Sequence, residues 1–148
     1  MKAVASMLVL ALSSAAALQL PQTPASSVRR RSPPPSLNEA MTKDRIEKMI
    51  ADNKVLLFMK GDKIQPQCGF SNTAVMILKA VTESAGCDFQ TFNVLADNDV
   101  REGIKKHSNW PTIPQCYIDG EFVGGCDLLI EMYQNGELAE MVEKAAAS

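Results

Sequence analysis

Residues 55–86 read VLLFMKGDKIQPQCGFSNTAVMILKAVTESAG. Val55-Leu56-Leu57-Phe58-Met59 is a continuous apolar run halted by Lys60-Gly61-Asp62, the pattern of a strand buried in a sheet that is covered on both faces. A loop from Gly61 to Gln67 follows and carries Pro66. Beyond it Ala74, Val75, Leu78 and Val81 recur at helical spacing, and Gly86 supplies a C-terminal stop. The stretch is therefore strand, loop and helix, and Cys68 stands where the helix begins.

Upstream, Ile46, Met49 and Ile50 share one helical face and Thr42 is placed to cap it, which predicts a first helix over 43–52. Downstream, Phe89 to Val94 reads as a second strand, and Asp97 or Asn98 caps a short helix that buries Val100 and Ile104. Trp110-Pro111-Thr112-Ile113-Pro114 breaks regular structure. Gln115 to Ile118 and Glu121 to Gly124 flank Asp119-Gly120, a tight-hairpin signal. Asp127 is placed to cap a helix ending at Asn135-Gly136, and Leu138, Met141, Val142 and Ala145 mark a last amphipathic helix. The order is α-β-α-β-α-β-β-α-α. A strand–helix–strand start demands a parallel pair and the hairpin adds antiparallel strands, giving a four-stranded mixed sheet flanked by helices. This is an α/β, thioredoxin-like fold.

The chain has 148 residues, and the first forty differ in character from the rest, so one folded domain over 41–148 is expected. Residues 1–40 carry Lys2, Arg29, Arg30 and Arg31 against Glu39 alone, leaving 11 basic and 16 acidic residues beyond them. A body with that balance has no basic field for a polynucleotide backbone, which argues against a nucleic-acid partner. Four cysteines stand at 68, 87, 116 and 126, with no pair at the spacing of a zinc knuckle or a dithiol redox motif. One of them is expected to react and the others to act as small buried hydrophobes.

Lys2, the apolar residues 3–18 and the patch Ala15-Ala16-Ala17 have the layout of a secretory signal, too short for a spanning helix. The stretch through Ser36 is rich in Pro, Ser and Arg and has no acid, the composition of an organelle transit segment. A signal followed by a transit segment resembles the two-part leaders of plastids of secondary origin; mitochondrial import is the alternative, and plain secretion a third. No stable membrane insertion of the body is expected.

A cysteine at a helix N-terminus meets free backbone N–H groups and the positive end of the helix dipole, both of which favour thiolate. Lys60 adds a positive charge. Gly69 and the polar flanks Gln67, Ser71 and Asn72 suggest an open site. Ser71 stands where a dithiol oxidoreductase carries its resolving cysteine, so no local disulfide closes. An isolated thiolate of this kind attacks mixed disulfides, is capped by glutathione, or binds iron.

Met59-Lys60-Gly61, Cys68-Gly69-Phe70-Ser71, the run from Ser108 to Gln115, and Gly124-Gly125-Cys126-Asp127 stand in the order and spacing of a known family. In these motifs the chain resembles the monothiol glutaredoxins of Cys-Gly-Phe-Ser type, over roughly Asp44 to Val142. The resemblance implies that Lys60, Arg101 and Lys105 meet glutathione carboxylates. It also implies that Ile113, before a cis Pro114, lends its backbone to the tripeptide in the manner of an added strand, and that Cys126 and Asp127 hold its γ-glutamyl end. Phe70 and Thr112 complete the implied glutathione set. Cations at one end and N–H groups with Asp127 at the other complement a dianion that carries one amine. Arg101 and Lys105, four residues apart, share a helix side, as they also would on a merely solvated face.

A [2Fe-2S] cluster wants four thiolates, and this chain offers one open candidate, Cys68. The resemblance implies a homodimer in which Cys68 and one glutathione from each copy bridge the cluster, which then passes to iron–sulfur acceptor proteins. Two other readings stand beside that carrier: a glutathione-dependent thiol-disulfide oxidoreductase acting through Cys68, and an adaptor that senses cluster status. His107 is read as a helix-end cap and Trp110 as packing under the proline loop. Cys87 and Cys116 are read as structural. Cys126 is open between oxidative pairing with Cys68 and space filling, and Phe70 between shielding the site and touching a client.

Overall fold

A computed structural model of the chain describes residues 36–148. The apolar leader segment, its cleavage region and the basic stretch through Pro35 lie outside the described residues.

The five apolar residues of the deciding stretch form β1 (Val55–Met59), buried throughout. Alternation splits them between two cores. Val55, Leu57 and Met59 pack with Ala74, Leu78 and Val81 of α2 (Gly69–Ala85), Leu129 of α4 (Cys126–Asn135) and Leu138 and Val142 of α5 (Glu137–Ala147). Leu56 and Phe58 face the other way, onto Ile46 and Ile50 of α1 (Leu37–Asp52) and Val100 and Ile104 of α3 (Asn98–Ser108). Each such side chain, fully removed from water, contributes about 1.5–3 kcal/mol.

The right-handed logic of strand, crossover helix and strand places β2 (Gln90–Asn93) parallel to β1. On the other edge of β1 runs β3 (Gln115–Ile118), antiparallel, followed by β4 (Glu121–Gly124). The sheet order is β2-β1-β3-β4, the expected four-stranded mixed sheet. Asp119 and Gly120 turn the hairpin with φ of 50° and 85°, the pair of positive values that suits the twist of the two strands. No helix among the described residues is long and apolar enough to cross a membrane.

Three helix ends differ from the sequence reading. The first helix begins at Leu37, capped by Ser36 rather than Thr42. Ser36 Oγ accepts from the Glu39 N–H at 3.3 Å, and the Glu39 carboxylate accepts from the Ser36 N–H at 3.2 Å. This capping box satisfies two N-terminal donors reciprocally. Thr42 is instead buried inside the helix. Asp127 does not cap α4: Gly125 holds that position and Asp127 lies exposed in the first turn. His107 lies in the last turn of α3, where a cation suits the dipole, but the cap is Asn109, in the left-handed conformation. Asp97 does cap α3, accepting from the Val100 N–H at 3.1 Å.

The capping box makes a measurable claim: Ser36→Ala should lower unfolding free energy in urea by about 1 kcal/mol. An unchanged midpoint would show that the helix starts without it.

Candidate functional site

The loop between β1 and α2 is built to bring its two ends together. Gly61 has φ of 87°, and a Cβ there would sit 2.3 Å from the Gln65 carbonyl oxygen, so only glycine fits. Asp62 Oδ1 accepts from the N–H groups of Ile64 and Gln65, both at 2.8 Å. The Gln67 N–H donates to the Lys60 carbonyl at 2.9 Å. From β2, Asn93 Oδ1 accepts from the Gly61 N–H at 3.0 Å. Lys60 and Cys68 thus become neighbours although seven residues separate them.

Cys68 is the residue before α2, half-exposed, with φ −156° and ψ 140°. Its sulfur makes no capping hydrogen bond of good geometry. The Ser71 amide is nonetheless the largest influence and draws the thiol below its ordinary pKa; burial opposes it and ranks second, and the Phe70 amide, the Lys60 charge and the Ser71 hydroxyl follow, all lowering. Those donors strengthen their hold on sulfur once it is an anion. Ser71 itself is fully buried, and its Oγ accepts from the Lys60 N–H at 3.2 Å. The serine that replaces a resolving cysteine therefore also ties the end of β1 to the first turn of α2.

Around Cys68 a groove of about 420 Å³ opens. Its lining includes Lys60, Cys68 and Phe70, Arg101 and Lys105 from α3, Thr112, Ile113 and Pro114 from the segment before β3, and Cys126 and Asp127 from the start of α4. Every candidate site residue read from the sequence lies in this one groove. The Ile113–Pro114 peptide bond is cis. Trp110, Pro111 and Gly125 also line the groove; Trp110 packs in tilted geometry on Phe122, ring centroids 5.9 Å apart. A Cβ on Gly125 would stand 3.1 Å from Trp110 Nε1, so the indole approaches the backbone there. Gln115, which bonds the Trp110 and Thr112 carbonyls, and Asn93, which bonds the Gly61 amide, support the site without a sequence signal; a polar residue at a strand end reads as an exposed one.

Lys60, Arg101 and Lys105 bring three cations to the groove, and Asp127 brings one carboxylate. Lys105 also pairs with Glu102 at 2.8 Å. Among the described residues two buried side-chain donors have no partner, Arg101 Nε and Trp110 Nε1. Both belong to groove residues, so the unmet demand for acceptors is concentrated where a ligand would sit. A larger groove of about 750 Å³ runs between α1 and α3, lined by residues such as Glu39, Lys43 and Asp99. It contains no thiol.

The other cysteines are of a different kind. Cys116 is fully buried and its thiol is pushed up to about 12. Cys126 is buried in the groove wall; its thiol is raised first by burial, then by the charges of Asp127 and Cys68. Cys87 is half-buried and packs against the core.

The Glutaredoxin family profile matches residues 55–123. A Synechocystis protein described as an uncharacterized monothiol glutaredoxin, ycf64-like, is 59% identical over 107 residues, which span 72% of this chain and 96% of that protein. The chain belongs to the monothiol glutaredoxins. Rice chloroplastic monothiol glutaredoxin-S7 is 52% identical to this glutaredoxin over 103 residues, 70% of the chain and 59% of the relative. Mitochondrial glutaredoxin-related protein 5 of Danio rerio is 53% identical over 100 residues, 67% and 62% of the two chains. The solution structure of reduced poplar apo GrxS14 superposes with a TM-score of 0.61 at 52% identity, over 72% of this chain and 94% of that one. A buckwheat glutaredoxin–glutathione complex shares the fold, with a TM-score of 0.62 at 21% identity over 77% and 98%.

Thiol chemistry gives the test of this site. Because the Cys68 thiolate persists below the pH at which an ordinary thiol protonates, its alkylation by iodoacetamide should stay fast as pH falls through the range where free glutathione slows. Cys116 should remain unlabelled in the native protein across the same range. A Cys68 profile superimposable on that of glutathione would contradict the arrangement of donors around it.

Proposed function

We propose that this glutaredoxin binds glutathione in the groove beside Cys68 and, as a homodimer, carries a [2Fe-2S] cluster held by Cys68 and one glutathione from each copy, delivering it to iron–sulfur acceptor proteins. The observation that carries the reading is the coincidence, in one groove, of a thiolate-favouring cysteine with the two partnerless buried donors, Arg101 Nε and Trp110 Nε1. An acceptor-rich ligand with carboxylates at its ends answers that demand, and Lys60, Arg101 and Lys105 supply charge for one carboxylate. Ile113 has neither its amide nor its carbonyl in a hydrogen bond among the described residues. A peptide laid alongside could use both, as an added strand does. Asp127 and the start of α4 suit the γ-glutamyl end, with its amine.

The cluster is cargo, and the donor set fits it only if shared. Among the described residues no three His, Cys, Asp or Glu side chains group to hold a metal. Cys68 is the one half-exposed thiol lining the groove. Two such thiolates and two glutathione thiolates reach the four that iron–sulfur clusters take. Half of that grip belongs to a dissociable tripeptide, which suits transfer. The exposed Phe70 beside Cys68 would shield the shared site. The residues before the domain act, on this reading, as a two-part leader into a plastid of secondary origin, with the mitochondrion as the alternative; the relatives include both chloroplastic and mitochondrial proteins.

A second reading is favoured by the lowered thiol pKa alone. Cys68 would attack the glutathionyl sulfur of a mixed disulfide and release the client thiolate, and a further glutathione thiolate would then regenerate Cys68 as glutathione disulfide leaves.

Reconstitution with iron, sulfide and glutathione under anaerobic conditions separates the two. Visible charge-transfer absorption at dimer mass is expected, lost in Cys68→Ser and kept in Cys87→Ser. Equal loss in both variants, or a colourless protein that briskly reduces a glutathione mixed disulfide, would reverse the ranking.

A further inference from the structure

Gln115 opens β3 and is fully buried. A buried amide must place two N–H donors and a carbonyl or lose the solvation of each. Here Nε2 donates to the Trp110 carbonyl at 2.9 Å and to the Thr112 carbonyl at 3.1 Å. Oε1 accepts from the Tyr117 hydroxyl at 3.5 Å. Both amide hydrogens are thus spent on the segment that walls the groove. That segment contains Pro111 and Pro114, which have no N–H of their own to anchor it. Its carbonyls are held from below by one side chain, which β3 and its pairing with Phe58 of β1 keep in register.

Between the residues so fixed and Gln115 itself lies Ile113, with its free amide and carbonyl. We propose that Gln115 is a positioning residue for the tripeptide site: its side-chain amide clamps the wall over 110–114 so that the Ile113 backbone is presented ready to pair with an extended ligand. The inference rests on the reading of the groove as a glutathione site. The clamp makes no contact with ligand; it acts by sparing the wall the ordering cost that binding would otherwise carry.

The test uses the full chain and compares Gln115→Met, which keeps bulk without donors, with Gln115→Glu and with Tyr117→Phe, which removes only the bond at Oε1. Reduced glutathione is titrated by calorimetry, thermal melts are recorded, and backbone order parameters are measured by NMR relaxation at Thr112 and Ile113. Gln115→Met is expected to bind glutathione about tenfold more weakly, the worth of one to two lost hydrogen bonds, with lowered order parameters at both residues. Tyr117→Phe is expected to lower the melting temperature while leaving the Kd within about twofold. Gln115→Glu should weaken binding at least as much where it folds. A folded Gln115→Met that binds like the wild type, or a Tyr117→Phe equally weakened, would overturn the clamp. Absence of heat with the unaltered chain would strike instead at the glutathione reading, and the order parameters at Thr112 and Ile113 would still decide whether Gln115 holds the wall.

Discussion

The first N–H groups of an α-helix have no carbonyl within the helix to meet, and in this protein the start of α2 is where that constraint becomes chemistry. The residue before the helix is a cysteine, so the unmet donors of Phe70 and Ser71 lie near a sulfur that gains from them as an anion. The arrangement depends on the chain arriving at the right angle. Buried β1 fixes Lys60, the Asp62 turn returns the loop, and Ser71 Oγ joins the end of the strand to the first turn of the helix. Remove the seam between Lys60 and Ser71 and both the positive charge and the amide donors lose their common target.

The same element order explains why only one cysteine of four is poised. Cys116 lies on the central part of the sheet with its side chain in the α2–α4–α5 core, where no donor faces it and desolvation alone sets its pKa. Cys126 shares the groove but is buried in its lining, which disfavours the thiolate first, and the neighbouring Asp127 carboxylate disfavours it further. Cys68 and Cys126 stand at the starts of different helices, yet burial and the neighbouring charge separate them. Helix position is thus only part of the device; how far the sulfur is buried comes next, and the sign of the local charge after it.

The elements legible in the sequence are those whose signals are short-range. The apolar run of β1, the spacing of Ala74, Val75, Leu78 and Val81, and Asp119-Gly120 each specify their structure within a few residues. The first helix reads too short in the sequence because its true start is a Ser36-x-x-Glu39 capping box lying in a proline-rich, polar stretch, and the apolar periodicity becomes visible only a turn later. Asp127 reads as a cap because an acid near a helix start serves equally well one or two positions inside it. Most groove residues are legible through four motifs in register, and Arg101 and Lys105, outside those motifs, through their shared side of α3. What supports those residues is not: Gln115 finds its partners in carbonyls of a proline loop, and no pattern of hydrophobicity tells that such a glutamine is buried.

The two α3 cations of the groove are not equivalent. Lys105 already spends its charge on Glu102, at the surface, where such a pair is worth little and is easily exchanged for a better acceptor. Arg101 is held with Nε buried and unpaired, a desolvation cost carried before any ligand arrives and relieved only by an acceptor brought to it. Lys60 lines the same groove, so an anionic group that reaches Arg101 would also draw Lys105 away from Glu102: the two α3 cations answer one acceptor by different routes, Lys105 by exchange of partners at the surface and Arg101 by relief of a buried donor.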